Sequence, residues 1–370
     1  MELSFYMPVQ VRMGADCVRH YGKELKKLGS RALVVTGTHS SGANGSLDDV
    51  KAALAANGQT WVLFDRVMEN PTVDCIYEGA DLARKEKADF VIGIGGGSPM
   101  DASKAIAWLA VTEVPREKVF DTRPSARLPL CCIPTTAGTG SEVTKNSIIT
   151  NDAMKTKSSL SDPALFADLA LLDGKYMAAM PHRIMVNTVI DSLSHSMESF
   201  LSGKASPLTE VLALQAMKEI AGLLPRLTSD ELTAEDHELL LHASTLGGIV
   251  IAQTGTSAVH AMGYPLTYFR HIPHGRANGL LLTGYLEMLE KAGFGERNGR
   301  MLAAMNMDSL GEFGAALDAL LGEKETFTEE ELESFTASAG RAKNLTNCVL
   351  PFDRDMVEAL YRRSFGMQKN

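Results

Sequence analysis

Short apolar runs alternate with helix-like stretches through the first half of this chain, and that alternation restricts the possible folds more than any other feature. Runs rich in aliphatic and β-branched residues lie at 31–37, 60–65, 89–97, 129–140 and 169–173. Apolar runs of this length, separated by helical patterns, are typical of parallel strands covered on both faces. The first half is therefore predicted to be a doubly wound α/β domain.

The pattern changes after Pro181. Apolar residues then recur at spacings of three and four, as on one face of a helix, at 207–226, 233–253, 276–292, 309–321 and 353–365. A chain of 370 residues also exceeds the size at which one hydrophobic core usually stops growing. We therefore predict an α/β domain at 1–180 and an all-helical domain at 181–370.

Charge and cysteine content restrict the partners. The formal net charge of −9 disfavours a sequence-independent grip on nucleic acid or on an anionic membrane, because both need clustered Lys and Arg. The five cysteines form no CxxC pair, and we interpret them as reduced thiols. The first residues lack a basic stretch followed by an apolar run, and no eighteen consecutive residues are apolar. We expect a cytoplasmic protein with a small-molecule partner.

A glycine-rich loop follows the third predicted strand of the α/β half. It consists of Gly95, Gly96, Gly97 and Ser98, and a helical pattern with Pro99 near its first turn comes next. Glycines let backbone amides approach a phosphate closely, and a helix N-terminus adds partial positive charge. The loop is therefore a candidate pyrophosphate site, although a tight strand-to-helix turn without a ligand has the same pattern.

A second loop, 134–142, follows the next apolar run and concentrates small residues and hydroxyls. Ligands of doubly wound folds bind beyond the carboxyl ends of the strands, so both loops are expected to face one crevice. The two loops together indicate that the ligand of this crevice is a dinucleotide. The Gly-x-Gly-x-x-Gly fingerprint is absent after the first strand, so the standard Rossmann pattern does not apply in detail.

Four residues of the second half form a candidate metal site. Asp191 and His195 stand four residues apart, which on a helix sets both side chains on one face. His260 lies in a probable helix, and His274 precedes Gly275. Three imidazoles and a carboxylate suit Fe(II), Zn(II) or a neighbouring first-row metal. For each histidine alone, a hydrogen-bonded place in a helical core is the competing interpretation.

The chain resembles the iron-containing (group III) alcohol dehydrogenases in four segments, which are GGGSPMDASKA, IPTTAGTGSEVT, DSLSHSMES and HAMGYPLTYFRHIPHG. The likeness extends from about Phe5 to the segment NLTNCVLPFDRDMVEALY near the C-terminus. It implies a dinucleotide-binding α/β domain with a parallel sheet and an all-helical metal-binding and substrate domain, in the architecture of dehydroquinate synthase. It also implies an active site in the cleft between the domains, a small primary alcohol or aldehyde as substrate, and a homodimer.

The same resemblance implies roles for individual residues. The family's metal ligands correspond to Asp191, His195, His260 and His274, and its phosphate loop to Gly95, Gly96, Gly97 and Ser98. Positions that line the cofactor cleft correspond to Asp101, Thr135, Thr136 and Ser141. Lys157 matches a lysine that reaches the nicotinamide-side ribose, with a solvated surface lysine as the alternative.

Two positions depart from the family pattern. Many members carry a histidine four residues after the third ligand, where this chain has Tyr264. A phenol, with an ordinary pKa of about 10, is a poorer proton shuttle than imidazole at neutral pH, so Tyr264 is a candidate catalytic or pocket-shaping residue.

The second departure concerns the cofactor. NAD-using relatives commonly carry an Asp at the end of the first strand, and this chain has Gly37 there. Without that carboxylate a 2′-phosphate is not repelled, and backbone amides with the hydroxyls of Thr38, Ser40 and Ser41 could receive it. We therefore expect a preference for NADP(H) over NAD(H).

Two other functions remain open at this point. One is a dehydroquinate synthase-like lyase that uses NAD and a metal, but the ligand segments contain few basic residues for a phosphorylated acid, chiefly Arg270 and Arg276. The other is a sensor or assembly module that binds nucleotide and metal without turnover, which Tyr264 prompts. Metal-dependent hydride transfer between NADP(H) and a small alcohol is the function that the sequence favours.

Overall fold

The computed structural model describes residues 3–154 and 156–368. The described residues divide into two compact units, with Tyr6–Met180 in one and residues 3–5 together with those from Pro181 to 368 in the other. In the part of the chain that is described, no helix has both the length and the apolar character needed to cross a bilayer.

The first unit is an α/β unit. Its strands are β1 (Gln10–Met13), β2 (Arg31–Gly37), β3 (Thr60–Val67), β4 (Phe90–Gly95), β5 (Leu130–Pro134), β6 (Asn146–Asn151), β7 (Thr156–Ser161) and β8 (Leu169–Leu172). Its helices are α1 (Cys17–Tyr21), α2 (Ser40–Ala43), α3 (Ser46–Asn57), α4 (Val73–Lys85) and α5 (Gly97–Leu109).

Six strands form one sheet in the order β1-β8-β5-β4-β2-β3, and every neighbouring pair is parallel. Strands β3 and β4 lie on opposite sides of β2, so the chain winds away from β2 in one direction and from β4 in the other. Ligands of doubly wound sheets bind at such a switch point, beyond the carboxyl ends of the strands. The loops after Gly37 and Gly95 lie at this place.

Burial explains why these segments become strands. All six residues of β4 and all five of β5 are buried, as expected for central parallel strands with both faces covered. The predicted parallel α/β half is thereby confirmed. Three strands escaped prediction, because β1 is a half-exposed edge strand and β6–β7 is a polar antiparallel hairpin outside the main sheet.

The second unit is helical. Its helices are α6 (His182–Phe200), α7 (Pro207–Thr228), α8 (Ala234–Thr254), α9 (Ala258–Arg270), α10 (His274–Leu289), α11 (Gly295–Ala304), α12 (Leu310–Leu321), α13 (Glu329–Ala339) and α14 (Arg354–Ser364). Capping boxes at Ser206 and Thr233 explain where α7 and α8 begin. The predicted helical half is confirmed, and it includes α6 and α9, whose bounds the apolar spacing did not mark.

Helix α6 is the central element of this unit. From Val189 to Phe200 every residue of α6 is buried, and the helix packs against α7, α8 and α10. A buried polar side chain is costly unless it finds a partner, so the polar residues of α6 must be satisfied by neighbouring helices. Those residues define the candidate site.

Candidate metal centre

Three ionisable residues of α6 lie on one face of the helix. Asp191, His195 and Glu198 follow at spacings of four and three, which places their side chains one above another. Asp191 is 4 % exposed, His195 is 5 % exposed and Glu198 is fully buried. Such groups are rarely buried without a partner or a metal ion.

Two neighbouring helices bring the other candidate ligands to Asp191. His260 lies in the first turn of α9, and His274 is the first residue of α10. The Nε2 atoms of His195, His260 and His274 lie 4.0, 3.6 and 3.7 Å from the Oδ1 atom of Asp191. All four predicted ligands therefore meet at one carboxylate oxygen.

This donor set fits a divalent first-row metal. Ligand atoms of Asp191, His195 and His260 lie within 4.8 Å of one another, and all three residues are buried. His274 adds an imidazole that is more exposed than the others, with 24 % of its side chain accessible. Three imidazole nitrogens and one carboxylate oxygen suit Fe(II) or Zn(II) and leave room for a further oxygen ligand.

Glu198 orients one of these ligands, although it is absent from the set of site residues predicted from the sequence. Its Oε2 atom is hydrogen-bonded to Nδ1 of His260, so the Nε2 lone pair of that imidazole is left facing Asp191. Its Oε1 atom accepts bonds from Ser257 Oγ and from the backbone amides of Ser257, Val259 and His260. A carboxylate on the far nitrogen is the usual support of a metal-binding histidine. The spacing from Asp191 and His195 could have indicated it.

The electrostatics of the site favour ionised carboxylates. Burial alone would raise the pKa of Asp191, but the imidazoles of His195, His274 and His260 hold that pKa well below its ordinary value. Burial likewise opposes ionisation of Glu198, and the His260 ring with the surrounding donors keeps its pKa low. The cluster therefore presents negative charge to whatever lies among the imidazoles.

Tyr264 lies one turn after His260 on α9. Its ring stacks on that of His274, with centroids 5.3 Å apart and planes at 11°. It meets the His260 ring edge-on at 6.3 Å. Tyr264 thus packs its ring on a candidate ligand.

Gly275 permits the close approach of α10 to α6. A Cβ atom at this position would lie 1.7 Å from the carbonyl oxygen of Asn187. Gly275→Ala must push the helices apart beside His274, so we expect a loss of about 1–3 kcal/mol of stability and weaker metal binding. The matched control is Gly222→Ala on α7, where a Cβ meets nothing within 4 Å. Equal metal affinity and unfolding temperature in the two variants would contradict this account.

The glycine loop of the α/β unit opens α5. Gly95 has a φ of 144°, a conformation that favours glycine, and it brings the chain from β4 into α5. The second loop packs on the first, since the amide of Thr135 donates to the carbonyl of Gly95 at 3.0 Å. The Ser98 hydroxyl accepts a bond from the amide of Asn70 at 3.2 Å. Both predicted loops thus lie at the carboxyl ends of β4 and β5.

Asp101 and Ser141 are buried and bonded to each other. The Ser141 hydroxyl donates to Asp101 at 2.5 Å, and the amide of Ile148 donates to the same carboxylate at 3.0 Å. Burial raises the pKa of Asp101 despite these donors and the Lys104 ammonium 3.6 Å away. The bond between Asp101 and Ser141 therefore holds the second loop against α5 inside the α/β unit.

Lys104 completes this network and was not identified from the sequence. Its ammonium is fully buried and donates to Ser141 Oγ at 2.7 Å, Thr144 Oγ1 at 3.1 Å and the carbonyl of Asn146 at 2.7 Å. It thereby ties α5 to the second loop and to the start of β6. Nothing in the sequence indicates that this lysine, within a predicted helix, is buried.

The remaining predicted cofactor residues are mostly accessible. Thr38 and Ser40 are exposed after β2, whereas Ser41 is buried. Thr136 and Gly37 are half-buried, and Lys157 is half-buried on β7.

Comparison with known proteins identifies the family. The model of the iron-containing alcohol dehydrogenases matches residues 8–174, and that of the C-terminal domain of the same family matches residues 185–365. Sulfoacetaldehyde reductase of Bilophila wadsworthia is 33% identical over 282 residues, which are 75% of this chain and 72% of the relative. The chain belongs to the iron-containing alcohol dehydrogenase family. Family membership places its activity among the alcohol oxidoreductases.

Solved structures agree with this family and fold. An iron-containing alcohol dehydrogenase from Thermotoga maritima is 39% identical with a TM-score of 0.91, covering 98% of this chain and 99% of that one. Sulfoacetaldehyde reductase from Bifidobacterium kashiwanohense, solved with NAD+, is 27% identical with a TM-score of 0.88 over 100% of both chains. The family resemblance expected from the sequence motifs is confirmed.

Proposed function

We propose that this chain is a metal-dependent alcohol dehydrogenase or aldehyde reductase that transfers a hydride between NADP(H) and a small primary alcohol or aldehyde. One observation carries the proposal, namely the convergence of three imidazoles on Asp191 Oδ1 at 3.6 to 4.0 Å. Its support is the family's reaction class and the loop pair at the switch point of the sheet.

Oxidation of a primary alcohol takes a hydride from carbon and a proton from oxygen. Fe(II), or Zn(II) in its place, held by Asp191, His195, His260 and His274, would supply a Lewis acid that lowers the pKa of the alcohol hydroxyl. A nicotinamide dinucleotide would accept the hydride. The protein has to hold these groups, orient the substrate and exclude water.

The helical unit contributes orientation and charge. Glu198 holds the Nδ1 proton of His260, so its Nε2 atom is available as a ligand. Asp191 remains ionised and supplies the negative oxygen that the imidazoles surround. Buried surroundings keep both carboxylates away from water, which strengthens their attraction for a cation.

The α/β unit supplies the dinucleotide site in this proposal. The amides at the start of α5 have no partner within the helix and are suited to a pyrophosphate. The candidate cofactor contacts are Gly37, Thr38, Ser40, Gly95, Gly96, Gly97, Ser98, Thr135, Thr136 and Lys157, with Asp101 and Ser141 supporting the loop.

The preference for NADP(H) depends on Gly37. A Cβ atom there would meet Val67 O at 3.5 Å and nothing closer, so packing does not demand glycine. The absence of an Asp carboxylate at this position removes the charge that would repel a 2′-phosphate. Sulfoacetaldehyde reductase from Bifidobacterium kashiwanohense was solved in complex with NAD+, so the ratio of NADPH to NADH efficiency is the test of this preference.

Gly37→Asp is expected to reverse the cofactor preference. At a separation of about 5 Å and an effective dielectric near 20, a carboxylate and a phosphate repel by about 3 kcal/mol, or roughly 100-fold in efficiency with NADPH. Efficiency with NADH should change little or improve. The measurement is kcat/KM for both cofactors, with Gly222→Asp, at an open position on α7 of the helical unit, as control. A wild-type ratio that favours NADH would overturn the preference.

Tyr264 is expected to act through its ring. Tyr264→Phe retains the stacking on His274 and should keep metal affinity and turnover near those of the wild type. Tyr264→Ala loses an aromatic contact of about 0.5–1.5 kcal/mol, which corresponds to roughly 2- to 10-fold weaker metal binding. Loss of turnover in Tyr264→Phe with metal retained would instead assign a proton-transfer role to the hydroxyl.

The whole proposal is tested on the metal-stripped full chain reloaded with Fe(II) or Zn(II). NADPH or NADH is mixed with a panel of short aldehydes, and the nicotinamide absorbance is followed. Metal-dependent consumption that is faster with NADPH supports the proposal. If metal and cofactor bind and no aldehyde or alcohol reacts, the chain is a binding module and the proposal fails.

A further inference from the structure

Helix α10 carries a second polar residue, Asn278, one turn after His274. Asn278 is fully buried. Its Nδ2 atom lies 3.0 Å from Asp191 Oδ1, 3.2 Å from His260 Nε2 and 3.4 Å from His274 Nε2. The side-chain amide therefore contacts three of the four candidate ligands, which come from three different helices.

Only the amide nitrogen of Asn278, and not its oxygen, takes part in these contacts. An amide nitrogen only donates, whereas a carboxylate only accepts. Asp191 Oδ1 is therefore the acceptor of this amide, since the Nε2 lone pairs of His260 and His274 would be occupied by a metal ion. The Oδ1 atom of Asn278 has no hydrogen-bond partner among the described residues although it is buried. The amide is thus held by its donors alone, and those donors face ligand atoms.

Gly263 makes room for this amide. A Cβ atom at position 263 on α9 would lie 2.1 Å from Asn278 Oδ1. The backbone of Gly263 is helical and needs no special conformation, so space is what requires the glycine. Gly263 and Asn278 therefore form a matched pair where α9 passes α10.

We propose that Asn278 is a positioning residue of the metal centre. By donating to Asp191 it sets the direction of the carboxylate oxygen that faces the imidazoles, and Gly263 admits it. The inference rests on the proposed function, because it takes Asp191, His195, His260 and His274 to be ligands of a divalent first-row cation. Hydrogen-bond partners of ligands typically contribute 10- to 100-fold to metal affinity.

The first test measures metal affinity without turnover. The metal-stripped full chain is titrated with Zn(II) and separately with Fe(II) against a chromophoric chelator. Asn278→Ala and Asn278→Leu should each bind about 10- to 100-fold more weakly than the wild type. The Leu variant keeps the branched shape at Cγ and fills the site without any polar atom, so a loss of affinity in both variants is not explained by a cavity.

The chain offers a matched control in Asn298. This residue of α11 is 2 % exposed in the same unit, and its Nδ2 atom donates to the carbonyl of Leu286 at 2.8 Å, away from the ligands. Asn298→Ala should lower the unfolding temperature measured in chelator but leave metal affinity unchanged. If Asn298→Ala weakens metal binding as much as Asn278→Ala, the effect is general loosening and the positioning role is overturned.

The second test is a double-mutant cycle. Gly263→Ala alone should weaken metal binding, because its methyl group displaces the Asn278 amide. In the Asn278→Ala background the space is free, so Gly263→Ala should cause little further loss. Additive losses would overturn the pairing of the two residues.

Failure of this inference is distinct from failure of the proposed function. If the wild-type chain binds neither Zn(II) nor Fe(II), the proposed metal centre is contradicted, and this inference is contradicted with it. A wild-type chain that binds them, with Asn278→Ala and Asn278→Leu equally tight, overturns only the positioning role.

Discussion

Asp191→Asn is expected to remove metal binding and to lower turnover by roughly 10³-fold. Lewis-acid assistance contributes several kcal/mol, and each 1.36 kcal/mol is about tenfold in rate. The substitution keeps the shape of the side chain and removes the charge that three imidazoles face. The fold should survive, because an amide can accept some of the same hydrogen bonds.

This prediction is checked by metal content, by metal affinity and by steady-state kinetics on the reloaded protein. Asp236→Asn is the matched control, since Asp236 is also a buried Asp of the helical unit but caps α8, where it accepts from the amide of Thr233. The control should lose stability and keep its metal. An Asp191→Asn variant with wild-type metal content and turnover would contradict the assignment of Asp191 as a metal ligand.

Lys104→Met is expected to destabilise the α/β unit by about 3–5 kcal/mol. Removing one partner of a buried ion pair leaves the other charge uncompensated, and this cost is larger than that of losing an exposed pair. Here the carboxylate of Asp101 would keep its buried position, and three oxygen acceptors would lose their donor.

The free energy of unfolding of the α/β unit can be measured by fluorescence because both tryptophans of the chain lie in that unit. Trp61 and Trp108 both lie in the α/β unit, in β3 and α5, so tryptophan fluorescence during urea unfolding reports on that unit. Lys85→Met, at an exposed position of α4, is the control and should stay within about 0.5 kcal/mol of the wild type. Adding Asp101→Asn to Lys104→Met should recover part of the loss, and a further loss would contradict the ion-pair explanation.

Much of the fold could be predicted from the sequence, because the segments that are buried in the structure are those with an apolar or periodic sequence. The apolar runs at 90–95 and 130–134 are strands with no exposed face, so their composition alone distinguishes them. Strand β1 pairs with β8 only along four residues at the sheet edge, and its mixed sequence QVRM gives no such signal. The hairpin β6–β7 has the alternation of a half-buried ribbon, which polar loops imitate.

Local spacing predicted one part of the site, whereas His260 and His274 were predicted from their residue type and the family motifs. Asp191 and His195 are one helical turn apart, and a separation of four residues can be read directly along the chain. Contacts between elements distant in sequence leave no such pattern. The pairing of Glu198 with His260 and that of Asn278 with Asp191 therefore became evident only from the packing of α6, α9 and α10.

Glu198 also affects the dynamics of the site. Amides in the first turn of a helix have no acceptor within the helix and ordinarily exchange their hydrogens rapidly with solvent. At the start of α9 the amides of Ser257, Val259 and His260 donate to a fully buried carboxylate instead. Opening of this turn and reorientation of the His260 ring both break bonds to the same carboxylate, so we expect the two motions to be coupled and these amides to exchange slowly.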